Sequence, residues 1–425
     1  MRATGPVPSR RTRILFLAWG YSIHATRRIR LFTDDPEFEV AVVSTFNYDF
    51  LNARNYLLSG VPPIPGGALS ERGRLPFPER EKNKGRIFAK MAHRVIRQWD
   101  EKTSLDDVER WIGDLKTVRA AAREFRPDVI FLQTLMYPCY LAYFLPRSIP
   151  IVITFWNGDL LWWARWNGIE RLLKKRIVRY GVHRAKEITV NSRLAVDACA
   201  EHGKSPEKIH FLPYPGVDLA MFHPSDREEA RAALGISSGK VVLCPRGLGG
   251  YLNSDVIVES VPLVARECPD ALFLFVSGVG GETELEKHKR MAIDLGVGNR
   301  CRWDGQVPWD RMPAYYRASD VVVSISSNDS LPNCMLEAMA CQVPVIMGDI
   351  PPIREWVRDG SNGFLVPPRN AEMLATRILE VLGSAGGAVE SFKEKNLELV
   401  RRHADSERNG RLVKDLVCRV AGRIP

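Results

Sequence analysis

Several patterns that fix a protein's chemistry at a glance are missing from this 425-residue chain. Its eight cysteines (Cys139, Cys199, Cys244, Cys268, Cys301, Cys334, Cys341 and Cys418) form no Cys-x-x-Cys and no Cys/His ligand spacing. That argues against a zinc site and for a reducing compartment. No strand-end Asp-x-Asp stands out to hold a divalent metal; Asp34–Asp35 and Asp106–Asp107 read as loop and helix-start acids, and no metal is expected. The longest apolar stretch, residues 129–145, is interrupted by Gln133, Thr134 and Pro138. It reads as a strand followed by a helix start rather than as a membrane span. The basic opening MRATGPVPSRRTR runs straight into a strand-like segment and does not read as a cleaved signal peptide, so a cytoplasmic location is expected.

What is present is basic and strongly patterned. Sixty Lys and Arg against fifty Asp and Glu leave a formal charge of +10, which suits an anionic partner such as a nucleotide or a phospholipid surface. No recognised nucleic-acid-binding motif accompanies that charge, and nucleic acid is not expected. Short β-branched runs bounded by turn residues recur in two groups of six. The first comprises residues 14–19, 38–45, 127–134, 150–156, 187–192 and 209–214. The second comprises residues 240–246, 271–278, 301–307, 320–326, 343–349 and 363–368. Near-continuous apolar strands alternating with helices imply parallel sheets covered on both faces. The chain is therefore read as α/β. A doubly wound domain over 1–215 carries an insertion at about 52–115, either a loop and helix over the acceptor side or a solvated excursion. A Pro-rich linker follows at 216–226, then a second doubly wound domain over 227–390. A charged C-terminal helix over 391–425 is expected to pack back toward the first domain.

The strongest signal lies at 320–368, DVVVSISSNDSLPNCMLEAMACQVPVIMGDIPPIREWVRDGSNGFLVPP. A buried strand enters a polar loop, Pro332 marks a helix start, and NCMLEAMA continues it. A loop feeding a helix N-terminus presents backbone N–H groups and a partial positive charge, a seat for a diphosphate. Glu337 lies more than a turn inside that helix, where a carboxylate can accept from paired ribose hydroxyls or merely pair within the helix. The stretch resembles the donor-site motif of family 4 glycosyltransferases, with EAMA at 337–340, PVI at 344–346 and NGFLVPP at 362–368. That resemblance implies the GT-B fold: two facing Rossmann-like domains with the active site in the cleft between them. It implies that Glu337 holds the ribose and that the position of Asp329, a Glu in the family, holds the transferred sugar. Ser330, Leu331 and Asn333 complete the donor set on the same basis. The family's Gly before the Pro-Val strand is replaced by Gln342.

Other stretches extend the resemblance. WGYSIHATRRI (19–29) is similar to the family's first strand-to-helix turn, which implies that the Gly20 backbone approaches the diphosphate. Arg246, ending KVVLCPR, matches the Arg that neutralises the leaving diphosphate, a task suited to a guanidinium that clamps two oxygens. A Lys expected five residues later is Tyr251; the Gly-rich backbone at 247–251 and Asn253 are the alternatives. TFWNGD (154–159) matches a strand end where many members carry a His. Trp156 or Asn157 stands there, Asp159 follows, and His24 belongs to a different turn, so no general base is assigned. A retaining outcome follows from the resemblance alone, and the carboxylate pair of glycosidases is not evident.

Trp156, Trp162, Trp163 and Trp166 precede a basic run, IERLLKKRIVRYGVHRAK (169–186), with Leu173, Ile177 and Tyr180 at helical spacing. Residues 162–186 are read either as a face for an anionic membrane or as a helix packed on the sheet with its charges solvated. The expected activity is transfer of a sugar from a UDP- or GDP-linked donor to a hydroxyl acceptor, a lipid-linked glycan or a small metabolite, without a further cofactor. The alternatives are a non-catalytic relative that binds glycans or a partner, and a nucleotide-sugar epimerase on the same fold.

Overall fold

The computed structural model describes residues 10–18, 23–46, 48, 50–58, 105–135, 138–155, 160, 168–213, 215–237, 239–276, 281–383 and 388–423. The chain divides into two compact units. The first comprises Met1–Val190, Ala195–Phe211 and Gly410–Pro425, the second Asn191–Leu194 and Leu212–Asn409.

In the first unit the strands are Thr12–Ala18 (β1), Phe38–Ser44 (β2), Ala53–Leu57 (β3), Val129–Leu132 (β4), Ile151–Phe155 (β5), Glu187–Val190 (β6) and Ile209–Phe211 (β7). They form one sheet in the order β3-β2-β1-β4-β5-β6-β7, all pairs parallel. Parallel neighbours need crossovers, and these include helices Ile23–Thr33 (α1), Leu105–Phe125 (α2), Gly168–Arg184 (α3) and Arg193–Glu201 (α4). Every residue of β4 and β5 is buried. Phe16 of β1 stacks on Phe131 of β4 at 5.3 Å and meets Phe32 of α1 at 5.7 Å. Each such ring contributes about 1.5–3 kcal/mol of burial.

Two expectations for this half are corrected. The sheet has seven strands, because β3 pairs with β2 inside the stretch read as an insertion. That stretch also does not end at 115, since α2 runs on to Phe125. β3, with sequence ARNYL, is an edge strand whose residues are mostly exposed, so it lacks the apolar run that marks a strand covered on both faces. Residues 59–104, including the basic centre at 72–86, lie outside the described residues.

The second unit contains Lys240–Cys244 (β8), Ala271–Val276 (β9), Cys301–Gly305 (β10), Val321–Ser324 (β11), Val345–Gly348 (β12) and Phe364–Val366 (β13), in the order β10-β9-β8-β11-β12-β13 and again all parallel. Its helices are Arg227–Ala233 (α5), Ser254–Glu267 (α6), Gly281–Asp294 (α7), Met312–Ala318 (α8), Asn333–Ala340 (α9), Pro351–Arg354 (α10), Ala371–Gly383 (α11) and Ala388–His403 (α12). Asn396 of α12 and Asn362 exchange hydrogen bonds of 2.7 and 2.9 Å, tying α12 to this unit.

The single charged helix expected over 391–425 is two, α12 and Ser406–Val420 (α13). At the break Val217 N donates to Ala404 O (2.7 Å) and Ser406 N donates to Val217 O (2.9 Å), so the linker takes over the backbone bonds that a continuous helix would make. Only residues from Gly410 onward group with the first unit.

Both strand orders reverse direction once, between β1 and β4 in the first sheet and between β8 and β11 in the second. Open parallel sheets bind ligands beyond the carboxyl ends of the strands at such a reversal.

Candidate active site

In the second unit, the two strands that flank the reversal deliver the charged residues. Arg246 follows β8, and Asp329 lies in the loop after β11. They meet: Arg246 Nη1 donates to Asp329 Oδ2, with the side chains 25% and 15% exposed. Burial works against the Arg246 cation, but the Asp329 carboxylate bonded to it favours the charged form, and its pKa is raised. Asp329 Oδ2 also accepts from Ser326 Oγ at 3.2 Å, and Oδ1 from the Ser330 N–H at 2.9 Å. The carboxylate is therefore fixed from three sides.

Beyond Asp329 the chain passes Ser330, Leu331 and Pro332 and enters α9 at Asn333. Pro332 supplies the N-cap backbone, and no side chain caps this N-terminus. A helix N-terminus without a side-chain cap offers backbone donors that can seat an anion. Cys334, in the first turn, is buried, and burial pushes its thiol up to about 12, so it stays neutral at the site.

Glu337 is 6% exposed, and two side chains from outside its own helix hold its carboxylate. Oε1 accepts from Trp309 Nε1 at 3.1 Å and Oε2 from Tyr316 OH at 2.8 Å. Burial, and then the Glu337 carboxylate itself, hold Tyr316 well above its ordinary pKa, so the phenol remains a donor. Phe222 packs on both aromatic partners, at 5.5 and 5.9 Å.

The loop after Arg246 is braced from beneath. The N–H of Gly249 donates to Ser254 Oγ (2.7 Å), which lies 2.8 Å from His288 Nε2. His288 Nδ1 donates to the Glu284 carbonyl at 2.7 Å. Gly249 has φ +83, and a Cβ there would come within 2.8 Å of the Glu284 carboxylate. Asn253 does not assist Arg246: its amide donates to Ile325 O at 2.8 Å, joining this loop to the end of β11. Tyr251 is 49% exposed, and its carbonyl accepts from Ser327 N at 2.8 Å.

The second unit thus brings Arg246, Asp329, Ser330, Leu331, Asn333 and Glu337 into one continuous stretch of surface and helix. His24 lies in α1, where only its backbone is described, and Gly20, Trp156, Asn157 and Asp159 lie outside the described residues. Sequence reasoning missed Trp309 and Tyr316. It also missed Asn191, whose Nδ2 donates to Ser330 Oγ at 2.8 Å. Among the described residues no group of three or more His, Cys, Asp or Glu side chains is arranged to hold a metal.

The family model described as Glycosyltransferase Family 4 matches residues 69–221, and that described as Glycosyl transferases group 1 matches residues 226–422. The chain belongs to the family 4 glycosyltransferases. This family 4 chain is 35% identical over 188 residues to the D-inositol 3-phosphate glycosyltransferase of Geodermatophilus obscurus, covering 43% of this chain and 42% of the relative. It is 32% identical over 190 residues to D-inositol 3-phosphate glycosyltransferase 1 of Catenulispora acidiphila, covering 42% of this chain and 45% of the relative. It spans about half the length of the curated relatives it matches. Among solved structures, Anabaena HepE in complex with UDP-glucose superimposes with a TM-score of 0.69 at 17% identity, covering 96% of this chain and 99% of that one. The two parallel-sheet Rossmann-like units are those of the GT-B fold.

Proposed function

We propose that this protein transfers a sugar, with retention of its anomeric configuration, from a nucleotide-diphosphate sugar to a hydroxyl acceptor. The observation that carries this reading is the Arg246–Asp329 pair at the strand reversal, set beside the uncapped N-terminus of α9. In this reading the diphosphate rests on the α9 amides with Arg246 on its oxygens, Glu337 accepts from the ribose hydroxyls, and Asp329 orients the transferred sugar. The acceptor oxygen bonds to the anomeric carbon as the bond from that carbon to the phosphate oxygen breaks. The electron pair leaves with the diphosphate, which takes the acceptor's proton on the same face. Charge stabilisation by fixed donors of this kind needs no metal. The donor is taken to be UDP- or GDP-linked, as UDP-glucose is in HepE. Inositol phosphate, named for the curated relatives, is the first acceptor to assay.

A peripheral position on the inner face of a membrane is part of the same proposal. Leu172, Ile177 and Tyr180 of α3 are 63%, 48% and 42% exposed, among exposed Arg171, Lys175, Arg176 and Arg179. Val178 and Val182, not these residues, are the ones buried against the sheet. One observation favours a second reading, a relative that binds the nucleotide sugar without transferring it: the exposed Tyr251 stands where the family has a Lys. Turnover decides between them. Glu337→Ala and Arg246→Ala are each expected to reduce transfer at least about tenfold, some 1.4 kcal/mol of transition-state stabilisation, with unchanged circular dichroism. Rates like the wild type's in both variants refute the assignment.

A further inference from the structure

Asn191 follows the last residue of β6 yet groups with the second unit. Its side chain is 5% exposed. One end of the amide is engaged, with Nδ2 donating to Ser330 Oγ at 2.8 Å. The other end, Oδ1, is buried without a hydrogen-bond partner. Buried side-chain amides in native proteins are nearly always satisfied, and each exception calls for a cause. Turning the amide over does not remove the exception; it only makes the unpaired atom a donor.

The position of this atom suggests the cause. Ser330 adjoins Asp329, and its backbone N–H holds Asp329 Oδ1 at 2.9 Å. Ser330 Oγ already accepts from Asn191, so its own proton is left to be donated onward. The pair therefore offers one acceptor and one donor beside the carboxylate that, in the function proposed above, faces the transferred sugar. A sugar ring carries adjacent hydroxyls that each donate and accept, which answers both.

We propose that Asn191 is a specificity residue for the donor sugar: its amide oxygen accepts from one ring hydroxyl while the Ser330 hydroxyl donates to a neighbouring one. The contact reads the hydroxyl pattern of the sugar and leaves the nucleotide untouched. This inference rests on the donor-site reading. Its rival is a trapped water on Oδ1, which needs no sugar.

The test compares affinities for UDP and UDP-glucose, GDP and GDP-mannose, and ADP and ADP-glucose by calorimetry on the full chain. In Asn191→Ala the ratio of the conjugate's Kd to that of its diphosphate is expected to rise at least about fivefold, with the diphosphate's own Kd within about twofold of wild type. Ser330→Ala, which frees the amide, is expected to raise the ratio by a smaller factor of about two to five. An unchanged ratio in Asn191→Ala overturns the proposal and gives Oδ1 to water. Equal loss of conjugate and diphosphate overturns it as well, because it makes Asn191 a structural brace. If Asn191→Ala fails to fold, an unchanged ratio in Ser330→Ala overturns it instead. A wild-type chain that binds none of the three diphosphates refutes the donor-site reading itself, and this inference with it.

Discussion

Gln342 has φ +59, a conformation that glycine adopts without strain and that side chains with a Cβ avoid. It stands just past the end of α9, where Gln342 N donates to Met339 O (3.1 Å) and Val343 N to Ala338 O (2.9 Å). Glycine is the usual residue at this post-helix position. The left-handed conformation costs a non-glycine residue roughly 1–2 kcal/mol; replacing it with glycine returns roughly 0.4–1 kcal/mol to the unfolded chain's entropy. Gln342→Gly is therefore expected to stabilise the protein by about 0.5–1 kcal/mol, read as a higher urea midpoint at constant m-value. A lower midpoint refutes it. The departure from glycine was visible in the sequence, but its strain was not. The same limit applies to Glu337. Its spacing from Asp329 was legible, whereas Trp309 and Tyr316, which clamp its carboxylate, stand 28 and 21 positions upstream. Asn191 and Ser330 are 139 positions apart. No local pattern encodes a hydrogen bond across such separations.

Among the elements, legibility followed burial. β1, β4, β5 and β11 announce themselves as apolar runs because both faces are covered, and β3 does not because its residues are mostly exposed. The break between α12 and α13 was hidden because the charge pattern continues through it and the bonds that end α12 come from Val217. For α3 the sequence left two readings open, a helix packed on the sheet or a membrane face. Exposed Ile177 and Tyr180 among basic residues support the second, since each Lys or Arg near an anionic surface is worth about 1 kcal/mol. The protein is expected to float with phosphatidylglycerol-containing vesicles at low salt and to be released at high salt. Ile177→Glu combined with Tyr180→Glu is expected to lower that binding about tenfold. Equal flotation with neutral vesicles, or none at low salt, removes the membrane proposal.

At the scale of the whole molecule, ligand binding and stability are linked. A nucleoside diphosphate at about 100 times its Kd adds about 2.7 kcal/mol to the folded state, which for a unit of about 150–250 residues is roughly 5–10 °C in Tm. In the proposed site the groups that would meet the anion are Arg246 and the amides of α9. The shift is therefore expected to persist in EDTA. Loss of the shift in EDTA, with recovery on adding Mg²⁺, would give the diphosphate to a metal instead. The two-unit plan was legible from the two groups of strands.

The path of the chain bears on how such a protein can be inherited or recombined. Lys414 of α13 lies 2.6 Å from Asp35, and Arg423 Nη2 donates to Arg11 O at 2.9 Å, so the last residues are part of the body that the first residues build. A single crossover in the gene anywhere in the linker exchanges the second unit together with the closing helix of the first, separating that helix from the residues it evolved against. A double exchange, with one junction in the linker and the other near Asn409, keeps that helix with the first unit but leaves Asn191–Leu194 of the second behind. Along the chain most of the second unit thus lies within the first, bracketed by Phe211 and Gly410.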